Sequence, residues 1–226
     1  MAKRPNNCGV KTISLETRSR SGKAACMQRV VGIDFGARKA GTTVVAWNEG
    51  ATIRFAQSKE GKDSDLFLRD VVADLSPDLI AIDAPLTLPG VYRDVVGCSD
   101  FHLRECDRAL KAMSPMFLGG LTARAMALAA AWRAEGITVY ETYPRQVAMR
   151  LGMDTSEIDA DWIQALFRHH GFAVVLPGSK VSKHLLDASL CALPWVCGLG
   201  MQAVGKKAEG VIYLPSSPKK QSFRGI

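Results

Sequence analysis

The chain has 226 residues, 47% of them hydrophobic and 23% charged, with a formal net charge of +7. That length suits one domain and that apolar fraction suits a real core, which excludes wholesale disorder. The basic charge belongs to the ends: residues 1–29 carry seven basic side chains against Glu16, residues 218–226 carry three against none, and residues 30–217 hold 19 basic and 21 acidic groups. A basic nucleic-acid-binding core therefore does not follow from the net charge.

In chain order, residues 1–28 read as a basic disordered tail, or as an extension upstream of a start at Met27, rather than as an Arg-rich transit peptide. No apolar stretch marks a secretory signal there. Arg29–Asp34 is a short apolar run ending on an acid, followed by Phe35-Gly36, which predicts a buried strand entering a turn. Thr42–Trp47 and Ala51–Ala56, on either side of Asn48-Glu49-Gly50, predict a hairpin, so the first three strands are antiparallel. Asp63-Ser64-Asp65 caps a helix with Leu66, Phe67, Val71 and Leu75 at helical spacing, and Pro77 stops it.

Leu79–Asp83 is a second apolar run ending on an acid, and an irregular excursion follows to Ser99. Helices are expected over Phe101–Met113 and Leu121–Glu135, then a strand over Ile137–Glu141. Further helices are expected over Arg145–Leu151, Ser156–His170 and Ser182–Leu193, with a short last strand at Val211–Leu214. The order predicts a single α/β domain over residues 29–217, with residues 218–226 as a second basic tail. Its sheet is mixed and five-stranded, three antiparallel strands followed by parallel ones, with helices on both faces.

Asp34, Asp83 and Glu141 each close an apolar strand, and ligands of open α/β sheets bind beyond the carboxyl ends of the strands. Such acids, gathered in a partly dry site, need a cation, and Mg²⁺ or Mn²⁺ is the hard ion that suits oxygen ligands. A strand-end acid also has a plain use, capping the turn or helix that follows. His184 and Asp187, at i and i+3 on one face of an otherwise apolar helix, are candidates to join them. Carboxylates holding two metals about 4 Å apart form the arrangement for in-line displacement at phosphorus.

Six segments occur in an order that carries a resemblance: Val30-Val-Gly-Ile-Asp-Phe-Gly-Ala-Arg-Lys-Ala-Gly-Thr42, Ile82-Asp-Ala-Pro85, Arg104-Glu-Cys-Asp-Arg108, Tyr140-Glu-Thr-Tyr-Pro144, His184-Leu-Leu-Asp-Ala188 and Glu209-Gly-Val-Ile-Tyr-Leu-Pro215. Together they resemble an uncharacterised group of predicted nucleases with a ribonuclease-H-like fold, domain-of-unknown-function group 429. The likeness spans nearly all of residues 29–217. It implies a ribonuclease-H-like domain, a divalent metal and a nucleic-acid partner, with Asp34, Asp83 and Asp187 in the ligand positions. Glu141 departs from the simplest resolvase layout of that superfamily, as a fourth ligand or a substrate-positioning group. His184 is expected to move a proton or hold a phosphate oxygen.

Arg104 and Arg108, one helical turn apart, are placed to clamp a phosphate with Asp107 orienting one of them; the alternative is a solvated helix face with an ordinary ion pair. Arg145, just after Tyr143-Pro144, is a further candidate for substrate contact; Arg38 and Lys39, in the turn after Asp34, read equally as contacts to a phosphodiester backbone and as plain hairpin-loop charges. Cys106 reads as a packing residue, and the six cysteines, with no C-x-x-C pair or zinc spacing, fit a cytoplasmic protein. The longest uncharged run, residues 188–205, is broken by Pro194, Gly198, Gly200 and Gln202, so no membrane span is expected. Two other readings stay open: an actin-like phosphotransferase, from Gly32-Ile-Asp-Phe-Gly36 with Gly41-Thr42, and a non-catalytic binding member of the fold. Oligomeric state, a homodimer included, is left open.

Overall fold

The computed structural model describes residues 27–153, 159–178 and 181–216. Both basic tails, apart from Met27 and Gln28, lie outside the described residues, as does the expected helix start at Ser156. Strands β1 (Val30–Asp34), β2 (Val44–Glu49) and β3 (Thr52–Gln57) lead into α1 (Ser64–Leu75) and β4 (Leu79–Asp83). After a 3-10 turn at Gly90–Arg93 come α2 (Glu105–Leu110), α3 (Pro115–Leu118), α4 (Gly120–Ala134) and β5 (Thr138–Glu141). The chain ends with α5 (Pro144–Leu151), α6 (Ala160–Arg168), β6 (Ala173–Val175), α7 (Lys183–Val196) and the hairpin β7 (Met201–Val204) and β8 (Ile212–Pro215).

The main sheet has the order β5-β4-β1-β2-β3-β6. β1, β2 and β3 are antiparallel neighbours, whereas β4 pairs parallel with β1 and β5 parallel with β4. This is the ribonuclease-H-like arrangement the sequence calls for, with one strand more. The addition, β6, is a three-residue edge strand parallel to β3, too short for a period-2 pattern to reveal.

Strand alternation divides the core. Val31, Ile33, Val45, Ile80 and Ile82 face one way, onto Leu68 and Val72 of α1 and Ala125, Leu128 and Trp132 of α4. Val44, Ala46, Ile53 and Phe55 face the other way, toward α5, α6 and α7. Burial of each such Leu, Ile or Val side chain is worth about 1.5–3 kcal/mol. Two expectations need correcting here. Helix α1 buries Leu68 and Val72, while Leu66, expected on its apolar face, is 60% exposed. The helix expected from Phe101 starts at Glu105, because Asp100 Oδ1 accepts from the His102 and Leu103 amides (2.8 and 2.9 Å) and folds that stretch into a turn.

The placement of α7 is set by Gly32. A Cβ on Gly32 would stand 2.5 Å from both the Ala188 carbonyl oxygen and the Ala192 amide nitrogen, so the helix backbone rests directly on the middle of β1. Further along, Trp195 stacks on Tyr140 of β5 with centroids 4.7 Å apart and planes 6° from parallel. Gly32→Ala should therefore cost about 3 kcal/mol or abolish folding. Gly120→Ala, at a helical position with open space around it, should be neutral or slightly stabilising; urea denaturation of the two variants checks the contrast.

Candidate active site

Parallel pairing puts Asp34 directly opposite Asp83, the last residues of the two central strands. Both follow the alternation that aims Gly32 and Ala81 toward α7, and α7 brings Lys183, His184 and Asp187 over that strand end. His184 Nδ1 stands 2.7 Å from Asp34 Oδ2. Asp83 and Asp187 have no hydrogen-bond or ion-pair partner among the described residues.

Electrostatics at these acids are unbalanced. Burial, and next the charges of Asp34, Asp187 and Glu141, push the Asp83 carboxyl well above the usual carboxylate range, with Lys183 only partly offsetting them. Burial and the Asp34 charge push Asp187 up to about 6. Asp34 is raised by burial too, against the pull of His184 and Lys183.

Glu141 lines the same cavity of about 270 Å³ as Asp34 and Asp83, yet it is committed elsewhere. In register it pairs with Ile82, one residue short of Asp83, and Tyr140 before it faces α7, so Glu141 belongs to the opposite face of the sheet. Its Oε1 and Oε2 accept from Arg104 Nη2 and Nη1 (2.6 and 2.8 Å), and Oε2 also accepts from the Leu86 amide at 2.8 Å. Burial raises the Glu141 carboxyl against the pull of this guanidinium.

Arg104 is fully buried. Its Nε and Nη2 also donate to Asp107 (2.9 and 2.7 Å), and its Nη1 to Thr87 Oγ1 (2.8 Å). All five guanidinium N–H groups are thereby used. Although desolvation works against its charge, Glu141 and Asp107 hold Arg104 ionised. No donor remains for a substrate phosphate, so the phosphate clamp expected of Arg104 with Asp107 is instead an internal tie joining β5, the segment after β4, and α2.

The remaining candidates are spread out. Arg108 is exposed and pairs with Asp100 at 2.6 Å. Arg145 is exposed at the start of α5. Arg38 is 57% exposed and reaches Asp63 at 3.0 Å. Among the described residues no three His, Cys, Asp or Glu groups are gathered closely enough to ring a metal ion. The donor set still fits one in kind: three carboxylates whose oxygens suit a hard cation, two of them unpartnered and with raised affinity for a proton.

Sequence reasoning missed Lys183, whose charge lowers the proton affinity of Asp34, Asp83 and Asp187 alike. The sign was available: a lysine in the first turn of a helix opposes the macrodipole and needs a local reason. It also missed Arg124, which bonds both oxygens of Asp65, Ser64 Oγ and the Gly36 carbonyl, with its guanidinium 4.7 Å from the Phe35 ring centroid. Buried Glu209, part of the last motif with no role of its own in the sequence, accepts from the Gly90 and Glu105 amides at 3.1 and 2.7 Å.

Among solved structures the chain is similar to Thermus thermophilus RuvC (17% identity over 74% of this chain and 92% of that one, TM-score 0.38). It is similar as well to T. thermophilus RuvC in complex with a Holliday junction substrate (18%, 76% and 94%, TM-score 0.37). A third likeness is to the yeast mitochondrial Holliday junction resolvase Ydc2 (11%, 76% and 78%, TM-score 0.42). No protein-family model matches the chain, and no curated protein does.

Two predictions follow the charge arrangement. Because the fold holds a proton on Asp187 more tightly than the unfolded chain does, the stability tied to that proton is full below about pH 4 and lost as pH rises through about 6. Asp187→Asn should therefore melt higher than the parent at pH 8, with the gap closing toward pH 4 in thermal denaturation. Arg104→Ala strands two buried carboxylates and should cost about 3–5 kcal/mol in urea unfolding; Arg104→Lys, with three donors for five, should recover only part of it.

Proposed function

We propose that the protein is a divalent-metal-dependent phosphodiester hydrolase acting on nucleic acid, of the ribonuclease-H-like predicted-nuclease group 429. One observation carries the reading: Asp83 and Asp187, without partners among the described residues, beside in-register Asp34 at the carboxyl ends of parallel strands. Carboxylates kept in that state serve folding poorly and cation binding well.

Asp34 and Asp83 are the residues that would hold Mg²⁺ or Mn²⁺, with Asp187 beside them. Magnesium sites commonly take one or two protein carboxylates and leave the other positions to water and substrate phosphate, which suits a site lacking a three-group ring. When bound, the ion supplies Lewis-acid stabilisation of charge on the phosphate oxygens and a lowered pKa for water. Asp34 orients His184 through Nδ1; with the proton on that nitrogen, Nε2 is the basic position and can take a proton from water or, once charged, return one to the leaving oxygen. Lys183 tempers the repulsion among the acids before a cation or substrate arrives. Arg104 and Glu141 act through position, fixing the chain at Leu86 and Thr87 and so the exit from β4. Arg145 and Arg38 remain candidates for substrate contact on the outer surface. The four described cysteines are free thiols, which suits a cytoplasmic setting, and among the described residues no helix is long and apolar enough to cross a membrane.

Cleavage of labelled single- and double-stranded DNA, RNA, an RNA–DNA hybrid and a four-way junction in Mg²⁺ and Mn²⁺ tests the proposal. At least one substrate should be cut, with a loss of about 100-fold or more in Asp34→Asn and Asp83→Asn. Melting temperatures of both variants should be unchanged or raised, since carboxylate repulsion is relieved. No cleavage across the panel by folded protein would overturn the reading.

A further inference from the structure

A polyanionic strand laid beside three carboxylates needs cations, and the folded part of the chain is slightly acidic. The structure gathers cations that are separated in sequence. β1 runs toward the acidic end of the sheet, β2 returns from it and β3 runs back to it, so the turn over residues 35–43 and the loop over residues 58–63 both emerge there, next to Asp34.

These two segments are fastened to each other. The Gly61 amide donates to the Lys39 carbonyl at 2.8 Å and the Ser64 amide to the Arg38 carbonyl at 2.9 Å. Gln57 Nε2 donates to the Gly41 carbonyl at 2.7 Å. Gly41, at φ 68°, comes so close that a Cβ there would stand 2.6 Å from the Glu60 amide nitrogen. The result is one preformed surface rather than two independent loops.

Its charge is lopsided. Arg38 is matched by Asp63 at 3.0 Å. Asp65, below them, is matched by Arg124 at 2.6 Å. Lys39, Lys59 and Lys62 are exposed and have no ion pair among the described residues, and Glu60 is the one acid of these two segments besides Asp63. β1 and β3 are two strands apart, roughly 10 Å, the span of about three phosphates measured as rise along a duplex axis.

We infer that these cross-tied loops are the landing surface for the phosphodiester backbone of the nucleic acid, with Lys39, Lys59 and Lys62 each contacting a phosphate. The identity of the polyanion rests on the hydrolase reading above; the surface itself rests on the loop geometry. Because the loops are already fixed to each other, little ordering cost accompanies contact. Lysine–phosphate contacts carry no base information, so the surface sets affinity and salt dependence and leaves base preference alone.

Fluorescence anisotropy of the full chain with a labelled 30-base-pair DNA duplex, titrated in EDTA over a range of NaCl, tests this without any cleavage. Lys39→Ala/Lys59→Ala/Lys62→Ala should lower the slope of log affinity against log salt by about 2 to 3 and weaken binding roughly 10- to 100-fold near 0.1 M salt. A control that removes the same charge elsewhere, Arg69→Ala/Arg168→Ala/Lys207→Ala, should leave the slope nearly unchanged. An unaltered slope in the first variant, an equal loss in the control, or no binding by the parent would each overturn the inference. The two proposals fail separately: a protein that binds through the three lysines yet cleaves nothing loses the hydrolase reading, whereas one that cleaves and binds as well without them loses the landing surface.

Discussion

The contact between Gly32 and the backbone of α7 is the constraint on which the rest of the molecule depends. A side chain at that point would hold the helix away from the sheet, and the helix is what carries Lys183, His184 and Asp187 to the strand ends. The close approach also leaves β1 buried along its whole length, so Asp34 is covered by the same α7 packing that covers Val30 on that face. Desolvation of the acids at this end is therefore a consequence of how the core is assembled, and their raised proton affinity follows from it.

Among the described residues two groups of carboxylates contrast. Asp65, Asp107, Glu141 and Glu209 are bound by arginines or by backbone amides and hold elements together. Asp83 and Asp187 are bound by neither. Two arginine ties flank the second kind: Arg124 secures the start of α1 to the turn after β1, and Arg104 secures the exit of β4 to β5 and α2. The acids that do no structural work thus sit between two that are rigidly placed, which is the preorganisation a site needs to receive charge rather than to generate stability.

Strands β1 to β5 are legible because each is a short apolar or β-branched run with a clear stop, and the acids that close β1, β4 and β5 stand out for the same reason. Strand register was not legible. Glu141 closes a strand just as Asp34 and Asp83 do, but it pairs one residue earlier, and a single step turns a side chain to the other face. The buried role of Arg104 was hidden because an arginine beside two acids on a short helix reads equally well as a solvated pair; only tertiary packing decides. On α1 only Leu66 falls off the expected face, because Leu66, Phe67 and Leu68 are all apolar and the sheet beneath makes the choice; Phe67, Val71 and Leu75 pack against the core as expected. β6 and β7 are too short, and too exposed, to announce themselves by pattern.

The saturation of Arg104 has a bearing on how this sequence can vary. Every guanidinium hydrogen is matched to an acceptor drawn from three separate stretches of chain, so no one of residues 87, 104, 107 and 141 is free to drift alone. Loss of either carboxylate leaves a buried cation half-matched, and loss of the cation leaves two buried anions facing each other. Across sequences that fold this way, these positions should change as a set, through an apolar replacement of the whole group or not at all. A coordinated substitution pattern of that kind would mark the tie as inherited architecture.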